Sequence, residues 1–240
     1  MSGHSKWATT HRQKAVVDAK RGAMFTKLAN NISIAAKQGA DPEMNPALRS
    51  AIDRARSLSM PKDNIERAIK KGTGELGGNQ MEELYYEGIG PGGAQVIVRT
   101  ITDNRNRTAA TIRHVFTKNG GALGAVMWNF EQQGVILITK EDLIAKNKNL
   151  AEIELDLIDN GALDIVSAEE GLTIYTALSD FQKMQDYLSD LNLILESAEI
   201  EYVAKEKLAL DLEGQEKLDK FLDELEDNDD VGAVYTNLSD

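Results

Sequence analysis

Hydrophobic residues recur at helical spacing in three separate stretches of the first seventy or so residues of the chain. Such a stripe, with polar residues between its members, predicts an amphipathic helix that buries one face. The stripes consist of Met24, Leu28 and Ile32, of Leu48, Ile52 and Ala55, and of Ile65, Ala68 and Ile69. Prolines near the starts and glycines after the first and third stripes are typical helix boundaries. The pattern therefore predicts a small three-helix bundle.

Beyond residue 80 the pattern changes to short β-branched runs separated by amphipathic segments. Strands are expected at residues 94–102, in "AVMWNF" and "GVILIT", at 162–167, in "GLTIYTAL", at 198–205, and in "KLALDL" and "GAVYTN". Helices are expected in "RTAATIRHVFTKNGG", "LAEIELDLIDNG", "FQKMQDYLSDLN" and "GQEKLDKFLDELED". In the first of these helices, Ala109, Ile112, Val115 and Phe116 are expected to face inward. Short strands that alternate with helices indicate α+β architecture.

The order of these elements predicts how the chain divides into domains. Residues 134–205 run β-α-β-β-α-β, which is one complete ferredoxin-like unit. The flanking pieces, 94–131 and 207–237, form a second such unit if they are joined. We therefore expect an N-terminal three-helix bundle followed by two ferredoxin-like α+β domains, one inserted into the other, although adjacent strands could pair differently. The expected boundaries are 1–80, 81–133 plus 206–240, and 134–205.

Charge is distributed unevenly along this acidic chain of 240 residues, whose formal net charge is -12. Residues 1–80 contain 14 Lys and Arg against 7 Asp and Glu, whereas residues 134–240 contain 8 against 27. A basic segment in an acidic protein indicates a polyanionic partner at the basic end. The alternative is that these charges only solvate the surface.

Several classes of function find little support in the sequence. The chain has no cysteine, three histidines and no spacing typical of a metal site, so neither a metal nor a cofactor is expected. The "GIGPGG" run at 88–93 matches a dinucleotide motif in letters, but a strand follows it where that motif needs a helix. No apolar run could span a bilayer, and the N-terminus lacks the apolar segment of a secretory signal. We therefore expect no membrane partner and a cytoplasmic location, or an organelle matrix if a transit peptide has been removed.

The N-terminal segment is the first candidate binding site. Between Gly3 and Lys27 there are six cations and a single acid, Asp18. Lysine and arginine neutralise phosphates and release counterions, and an aromatic ring can stack on a base. The candidate residues are Lys6, Trp7, Arg12, Lys14, Lys20, Arg21 and Lys27. Trp7 could equally pin the segment onto the bundle. No base-reading pattern is evident, which favours binding to the phosphate backbone.

The segment "TDNRNRTAATIRHVFTKNGG" at 102–121 is the second candidate. Arg105 and Arg107 lie at a predicted strand-to-helix turn, where a helix N-terminus favours anions. Arg113 and Lys118 lie further along the same helix. This placement suits a phosphate, and the alternative is that Asp103 and the arginines pair locally.

At these residues the chain resembles the YebC family. The resemblance rests on "GHSKW", "DAKRG", "FTKL", "IERAIKKGTG", "YEGIGPGG", "DNRNRT" and "RHVFTKNGG", in this order, and covers nearly the full length. It implies a helical bundle and two α+β domains, one of them discontinuous, and no enzyme activity. Members are commonly described as transcriptional regulators that bind DNA, while others resemble translation factors, including a mitochondrial translational activator and bacterial factors linked to stalled ribosomes.

The sequence and the resemblance together predict a non-enzymatic nucleic-acid-binding regulator. Binding to ribosomal RNA and tRNA at the ribosome is favoured, because a split charge and small domains suit a shaped target without base readout. DNA-directed control of transcription is the alternative. An enzyme acting on phosphate esters through the Gly88–Gly93 and Arg105/Arg107 turns, and a protein scaffold using the acidic half, are further alternatives. The oligomeric state is left open.

Overall fold

A computed structural model describes residues 21–146 and 150–239, with the side chains of Arg21 and residues 150–152 left out. The expected class is confirmed: the described chain is α+β, with eight α-helices and two four-stranded antiparallel sheets. It divides into two compact units. The described part of the first consists of residues 21–127 together with Leu208–Leu238, and that of the second consists of residues 128–146 and 150–207 together with Ser239.

Three helices open the first unit. They are α1 (Arg21–Ala36), α2 (Pro46–Ser57) and α3 (Lys62–Gly72). Their predicted stripes form one core with Ile32, Leu48 and Ala55 fully buried. Helix α3 lies close against α1, since the Ser33 hydroxyl donates to the Ala68 carbonyl at 2.8 Å and a Cβ on Gly72 would meet the Ser33 carbonyl oxygen at 2.2 Å. The bundle is therefore packed as the apolar spacing predicts.

The first sheet completes this unit. Its strands are β1 (Glu82–Ile89), β2 (Gln95–Thr102), β3 (Ala122–Leu123) and β8 (Val231–Thr236), in the spatial order β3-β1-β2-β8. Helices α4 (Arg105–Lys118) and α8 (Leu212–Glu226) cover one face, where Phe116 and Phe221 meet edge to face at 4.9 Å. On helix α4 the buried positions include Thr108, Ile112, Val115 and Phe116, whereas Ala109 is only partly buried.

The second unit carries the second sheet. Its strands are β4 (Phe130–Thr139), β5 (Ala162–Ser167), β6 (Gly171–Thr176) and β7 (Leu195–Ala204), in the order β5-β6-β4-β7. The helices are α5 (Lys140–Ala145), α6 (Leu150–Asp159) and α7 (Phe181–Asp190). This is the order that a β-α-β-β-α-β chain gives in a ferredoxin-like sheet, as expected.

The first sheet has the same layout, but one strand comes from an unexpected place. The segment "KLALDL" was expected as a strand, yet only Leu208 forms a bridge, with Leu238, and Asp211 caps helix α8. Strand β1, which the pattern did not reveal, takes the inner position instead. The reason is that Leu208 and Leu210 pack on the core without pairing, while β1 has few buried residues to mark it.

One smaller expectation is also corrected at the start of the second unit. The segments "AVMWNF" and "GVILIT" were expected as two strands, but they form a short 3-10 turn at Met127–Asn129 and then one strand, β4. The "GIGPGG" run is followed by a strand, as its context indicated: it forms a tight turn that joins β1 to β2, in which the Gly90 amide donates to the Ala94 carbonyl at 2.7 Å. Gly92 there has a φ of 70°, which favours glycine.

Candidate nucleic-acid interface

Most of the N-terminal candidates lie outside the described residues. These are Lys6, Trp7, Arg12, Lys14 and Lys20. Arg21 begins helix α1, and its side chain is not among those described. Lys27, one turn and a half further on, donates from its ammonium to the main-chain carbonyl of Glu226 at the end of helix α8. This cation therefore links the bundle to the first sheet's helix layer and is held by the protein itself.

The start of helix α4 is organised by its own motif. Asn104 caps the helix, since its side-chain oxygen accepts from the Arg107 amide at 3.1 Å. The Asn104 amide donates in turn to the Thr102 hydroxyl at 3.0 Å. A capping side chain satisfies donors that would otherwise face solvent or a ligand. The "DNRNRT" motif therefore begins by closing the helix end that the sequence suggested as a phosphate site.

Asp230 occupies the position where an anion was expected. Its carboxylate accepts from the Thr108 hydroxyl at 2.7 Å, from the Thr102 hydroxyl at 3.2 Å, and from Arg107 Nη2 at 3.1 and 3.2 Å. The Asp230 side chain is 14% exposed. Hydrogen bonds to Asp230 and its charge raise the pKa of Arg107. The protein thus supplies its own carboxylate against this helix, 123 residues away along the chain.

Asp103 extends this network to the bundle. It accepts from Lys71 Nζ at the end of helix α3 and from Arg107 Nη2, each at 3.3 Å. Partial burial alone would raise the pKa of Asp103, but the hydrogen bond and charge of Lys71, together with Arg107, lower it. The groups line a polar cleft of about 450 Å³ between the bundle and the first sheet. Its other polar walls come from Thr26, Asn30, Thr111, Asn228 and Asp229.

The remaining candidate cations on helix α4 differ in their ion-pair partners. Arg105 lies 3.7 Å from a carboxylate oxygen of Glu82, and Lys118 lies 2.6 Å from Glu224. Arg113 is exposed and makes no ion pair with any residue in the described part of the chain. Three of the four predicted cations are therefore paired with carboxylates. The local pairing considered as the alternative is present between Arg107 and Asp103, whereas the other carboxylate partners lie far away in the sequence. Their contact with nucleic acid stays a prediction.

Sequence reasoning missed Lys71 and Asp230, which hold this network together. The run "DNDD" at 227–230 is typical of an acidic surface turn, but the Asp230 side chain is only 14% exposed and accepts a hydrogen bond from Thr108. No local signal identifies it, because its partners are far away in sequence. Helix α3 also presents exposed Arg67 and Lys70, which make no ion pair within the described ranges. The run "IERAIKK" contained this signal as three cations in the last turns of a helix.

Two negative observations limit the chemistry of the described residues. Among residues 21–146 and 150–239, no group of three or more His, Asp or Glu side chains is arranged to hold a metal ion. Over the same residues, no helix is both long enough and apolar enough to cross a membrane. The "GIGPGG" turn leads from one strand to the next, as its context indicated, and its Gly90 and Gly92 lie against Phe221 and Leu210.

Family models match both parts of the chain. The N-terminal domain of TACO1/YebC proteins matches residues 5–75, and the second and third domain of the same proteins matches residues 81–238. The solved structure of a conserved hypothetical protein, Aq1575, from Aquifex aeolicus is similar, with a TM-score of 0.80 and 43% sequence identity. That similarity covers 93% of this chain and 92% of the other.

Full-length relatives agree with these matches. A protein from Thermoanaerobacter pseudethanolicus named probable transcriptional regulatory protein Teth39_1009 is 45% identical over 99% of this chain and 97% of its own length. One from Pelodictyon phaeoclathratiforme, also named probable transcriptional regulatory protein, is 47% identical over 99% of this chain and 95% of its own length. Since models of both parts match and whole relatives share nearly half of its residues, the chain belongs to the TACO1/YebC family.

Proposed function

We propose that this protein is a non-enzymatic regulator of gene expression that binds nucleic acid through its basic N-terminal end. The proposal rests on a difference between the N-terminal cations and those of helix α4 in the number of nearby carboxylates. Between Gly3 and Lys27 six cations accompany one acid, whereas Arg105, Arg107 and Lys118 each face a carboxylate of the protein. Cations without local acids are the ones that can neutralise phosphates at low energetic cost. The principal contact is therefore assigned to Lys6, Arg12, Lys14, Lys20 and Arg21.

Exposed cations of the described helices extend this contact. Arg67 and Lys70 lie on helix α3 and Arg113 on helix α4, and none of the three is in an ion pair with a described residue. Arg105 and Arg107 take a supporting role, because an arginine already bound by a carboxylate can still offer its outer N–H groups. Arg107 in particular is 54% exposed. Trp7 is proposed to stack on a base.

Structured RNA is the favoured target, with ribosomal RNA and tRNA as its class. A surface that binds the phosphate backbone without a base-reading helix recognises shape more readily than sequence. The acidic second unit, with 17 Asp and Glu against six Lys in residues 128–207, is repelled by phosphates and would keep the basic end turned toward the target. DNA is the alternative target, and the relatives' shared name favours it.

Sedimentation of a cell lysate through a sucrose gradient separates these two targets. The lysate is treated with DNase first, and the gradient is run at low and at moderate salt. We expect the protein to travel with ribosomes and to leave them when RNA is digested or salt is raised, because phosphate contacts weaken with salt. A protein that stays at the top of the gradient, and that shifts DNA fragments in a sequence-dependent way when purified, would contradict the RNA assignment.

A further inference from the structure

The polar cleft between the bundle and the first sheet has the size of a ligand site. Its volume is about 450 Å³, within the range of roughly 300–1,000 Å³ that is typical of small-molecule sites. Its walls come from helices α1, α3 and α4 and from the turn before strand β8, all within the first unit. The cleft can therefore be examined as a site for one small organic group.

The charges on the cleft walls disfavour simple ions. Two cations, Lys71 and Arg107, share the cleft with three carboxylates, those of Asp103, Asp229 and Asp230. A phosphate inside the cleft would lie near three acids, and an ammonium group would lie near two cations. No acids in the described part of the chain are arranged to hold a metal ion. The mixed signs favour a neutral ligand that both donates and accepts hydrogen bonds.

Two charged groups of the cleft keep free hydrogen-bonding capacity. The exposed carboxylate of Asp229 accepts from no residue that the structure describes, because the contact with Asn30 uses the main-chain carbonyl. Lys71 uses one of its three N–H groups, toward Asp103 at 3.3 Å. The cleft therefore offers a carboxylate that can accept two hydrogen bonds side by side and an ammonium group that can still donate.

Arg107 adds a flat surface to the same cleft. Its Nη2 atom donates to Asp230 at 3.1 Å and to Asp103 at 3.3 Å, so two carboxylates fix the plane of the guanidinium. The side chain is nevertheless 54% exposed. Unpaired RNA bases stack on arginine planes as they do on aromatic rings. A planar ligand in the cleft therefore has a platform to stack on.

Guanine matches these groups better than the other bases. Its Watson–Crick edge carries two neighbouring donors, N1–H and the N2 amino group, which one carboxylate accepts together, and its O6 accepts from a cation. We propose that the cleft binds one unpaired guanine, with Asp229 accepting from N1 and N2, Lys71 donating to O6 and Arg107 stacking on the ring. The inference deepens the proposed function and rests on it for the source of the guanine, a structured RNA.

This site adds one base contact to a surface that otherwise binds the phosphate backbone. Bases in loops and bulges can turn out of the stack and expose their Watson–Crick edge, whereas a paired guanine has that edge occupied. The cleft would therefore select where on a structured RNA the protein binds, while the N-terminal cations supply most of the affinity.

RNA hairpins that differ in one base test the guanine contact with the protein unchanged. Three hairpins share their stem and a uridine loop, and one loop position holds guanine, inosine or adenine. Inosine keeps N1–H and O6 but lacks the N2 amino group. By fluorescence anisotropy the guanine hairpin should bind roughly tenfold more tightly than the inosine hairpin, because one hydrogen bond to a carboxylate is lost. Equal affinities for the three hairpins would overturn the proposal.

Asp229→Asn tests the residue that is assigned to the guanine edge. Asparagine keeps the main-chain carbonyl that accepts from Asn30, but it replaces one acceptor oxygen by a donor, so the preference for guanine over inosine should disappear. The matched control Glu216→Gln makes the same charge change at an exposed site of helix α8 outside the cleft, and it should keep the preference. Circular dichroism should be that of the parent in both. A preference that survives in Asp229→Asn would overturn the assignment.

Guanosine monophosphate separates this inference from the proposed function. Calorimetric titration should show saturable binding, weaker for inosine monophosphate and lost in Asp229→Asn. Discrimination between these mononucleotides without discrimination between the hairpins would identify a free nucleotide as the ligand and overturn the RNA source. Lys20→Glu/Arg21→Glu should weaken all three hairpins alike and leave the mononucleotide titration unchanged. Hairpin affinities that this variant does not change would contradict the proposed function, while the guanine preference would still be measured independently.

Discussion

The two sheets of this molecule share a strand layout but differ in their outer faces. The outer face is the one opposite helices α4 and α8 in the first sheet and opposite α6 and α7 in the second. On the first sheet, Ile97 and Ile101 are buried opposite the core of helices α4 and α8, and helix α1 lies there with polar contacts. Asn30 donates to the Ile101 and Asp229 carbonyls at 3.4 and 3.3 Å, and Arg99 donates to the Asn31 side-chain oxygen at 3.3 Å. On the second sheet the outer face is equally buried but edged with carboxylates.

The difference shows that two sheets with the same strand layout can be used for different contacts. The polar contacts on the first sheet join the bundle to it, and motif residues such as Asp103 and Arg107 are used for that joint. On the second sheet, strand β7 instead places Glu199 and Glu201 beside Val135 and Gln133. A family motif rich in arginine can thus be structural, and the cations that we propose to bind a partner are those of the N-terminal segment.

The largest expected effect is a loss of stability when a buried side chain on the outer face of the second sheet is truncated. Leu137→Ala should lower the free energy of unfolding by about 3 kcal/mol, because it removes a fully buried side chain and leaves a cavity. Leu163→Ala on strand β5, where the side chain is 60% exposed, should cost less than about 1 kcal/mol. Urea denaturation of both variants measures the difference. Similar small losses for both would mean that the outer face is open to water.

A smaller loss of stability is expected where the bundle contacts the first sheet. Asp230→Ala should lower the unfolding free energy by about 2 kcal/mol, since it leaves the hydroxyls of Thr102 and Thr108 and the Arg107 guanidinium without their shared acceptor. The matched control is Asp229→Ala. That side chain is exposed, and the contact with Asn30 uses its main-chain carbonyl, which alanine keeps. If the neighbouring substitutions cost the same, the network does not stabilise the fold.

Whether a feature of this structure could be predicted from the sequence depends on how far apart along the chain the interacting residues lie. Stripes such as Met24, Leu28 and Ile32 predicted the bundle, because helical burial repeats within a few residues. The β-α-β-β-α-β order predicted the second sheet for the same local reason. Strand β1 was missed because its burial is slight, and Asp230 was missed because its partners lie more than 120 residues away. Local periodicity contains neither kind of information.

The smallest expected effect is the pH dependence of the unfolding free energy that Asp103 contributes where the bundle contacts the first sheet. The pKa of Asp103 is lowered in the folded protein, so its contribution to stability is complete above the unfolded pKa and is lost as pH falls through the folded one. The pair is partly exposed, so the loss should stay below about 1 kcal/mol. Unfolding measured between about pH 5 and pH 3 should depend less on pH in Asp103→Asn than in the parent.

The partner of this carboxylate provides the control. Lys71→Met should remove a similar part of the acid dependence, and the double variant should add little to either single change, because both remove one interaction. Additive effects would show that Asp103 and Lys71 act separately. The same dependence of unfolding free energy on pH in parent and variants would show that Asp103 does not contribute to acid stability.

The central claim is that the N-terminal cations bind phosphates, and the salt dependence of RNA affinity tests it most directly. The parent is compared with Lys20→Glu/Arg21→Glu and with Lys140→Glu/Lys146→Glu, an equal charge change at exposed sites in and beside helix α5. The first variant should bind more weakly, with a slope of log affinity against log salt shallower by roughly one to two, as expected for two lost phosphate contacts. The second should keep the parent's slope. Equal slopes and affinities in all three proteins would contradict the claim.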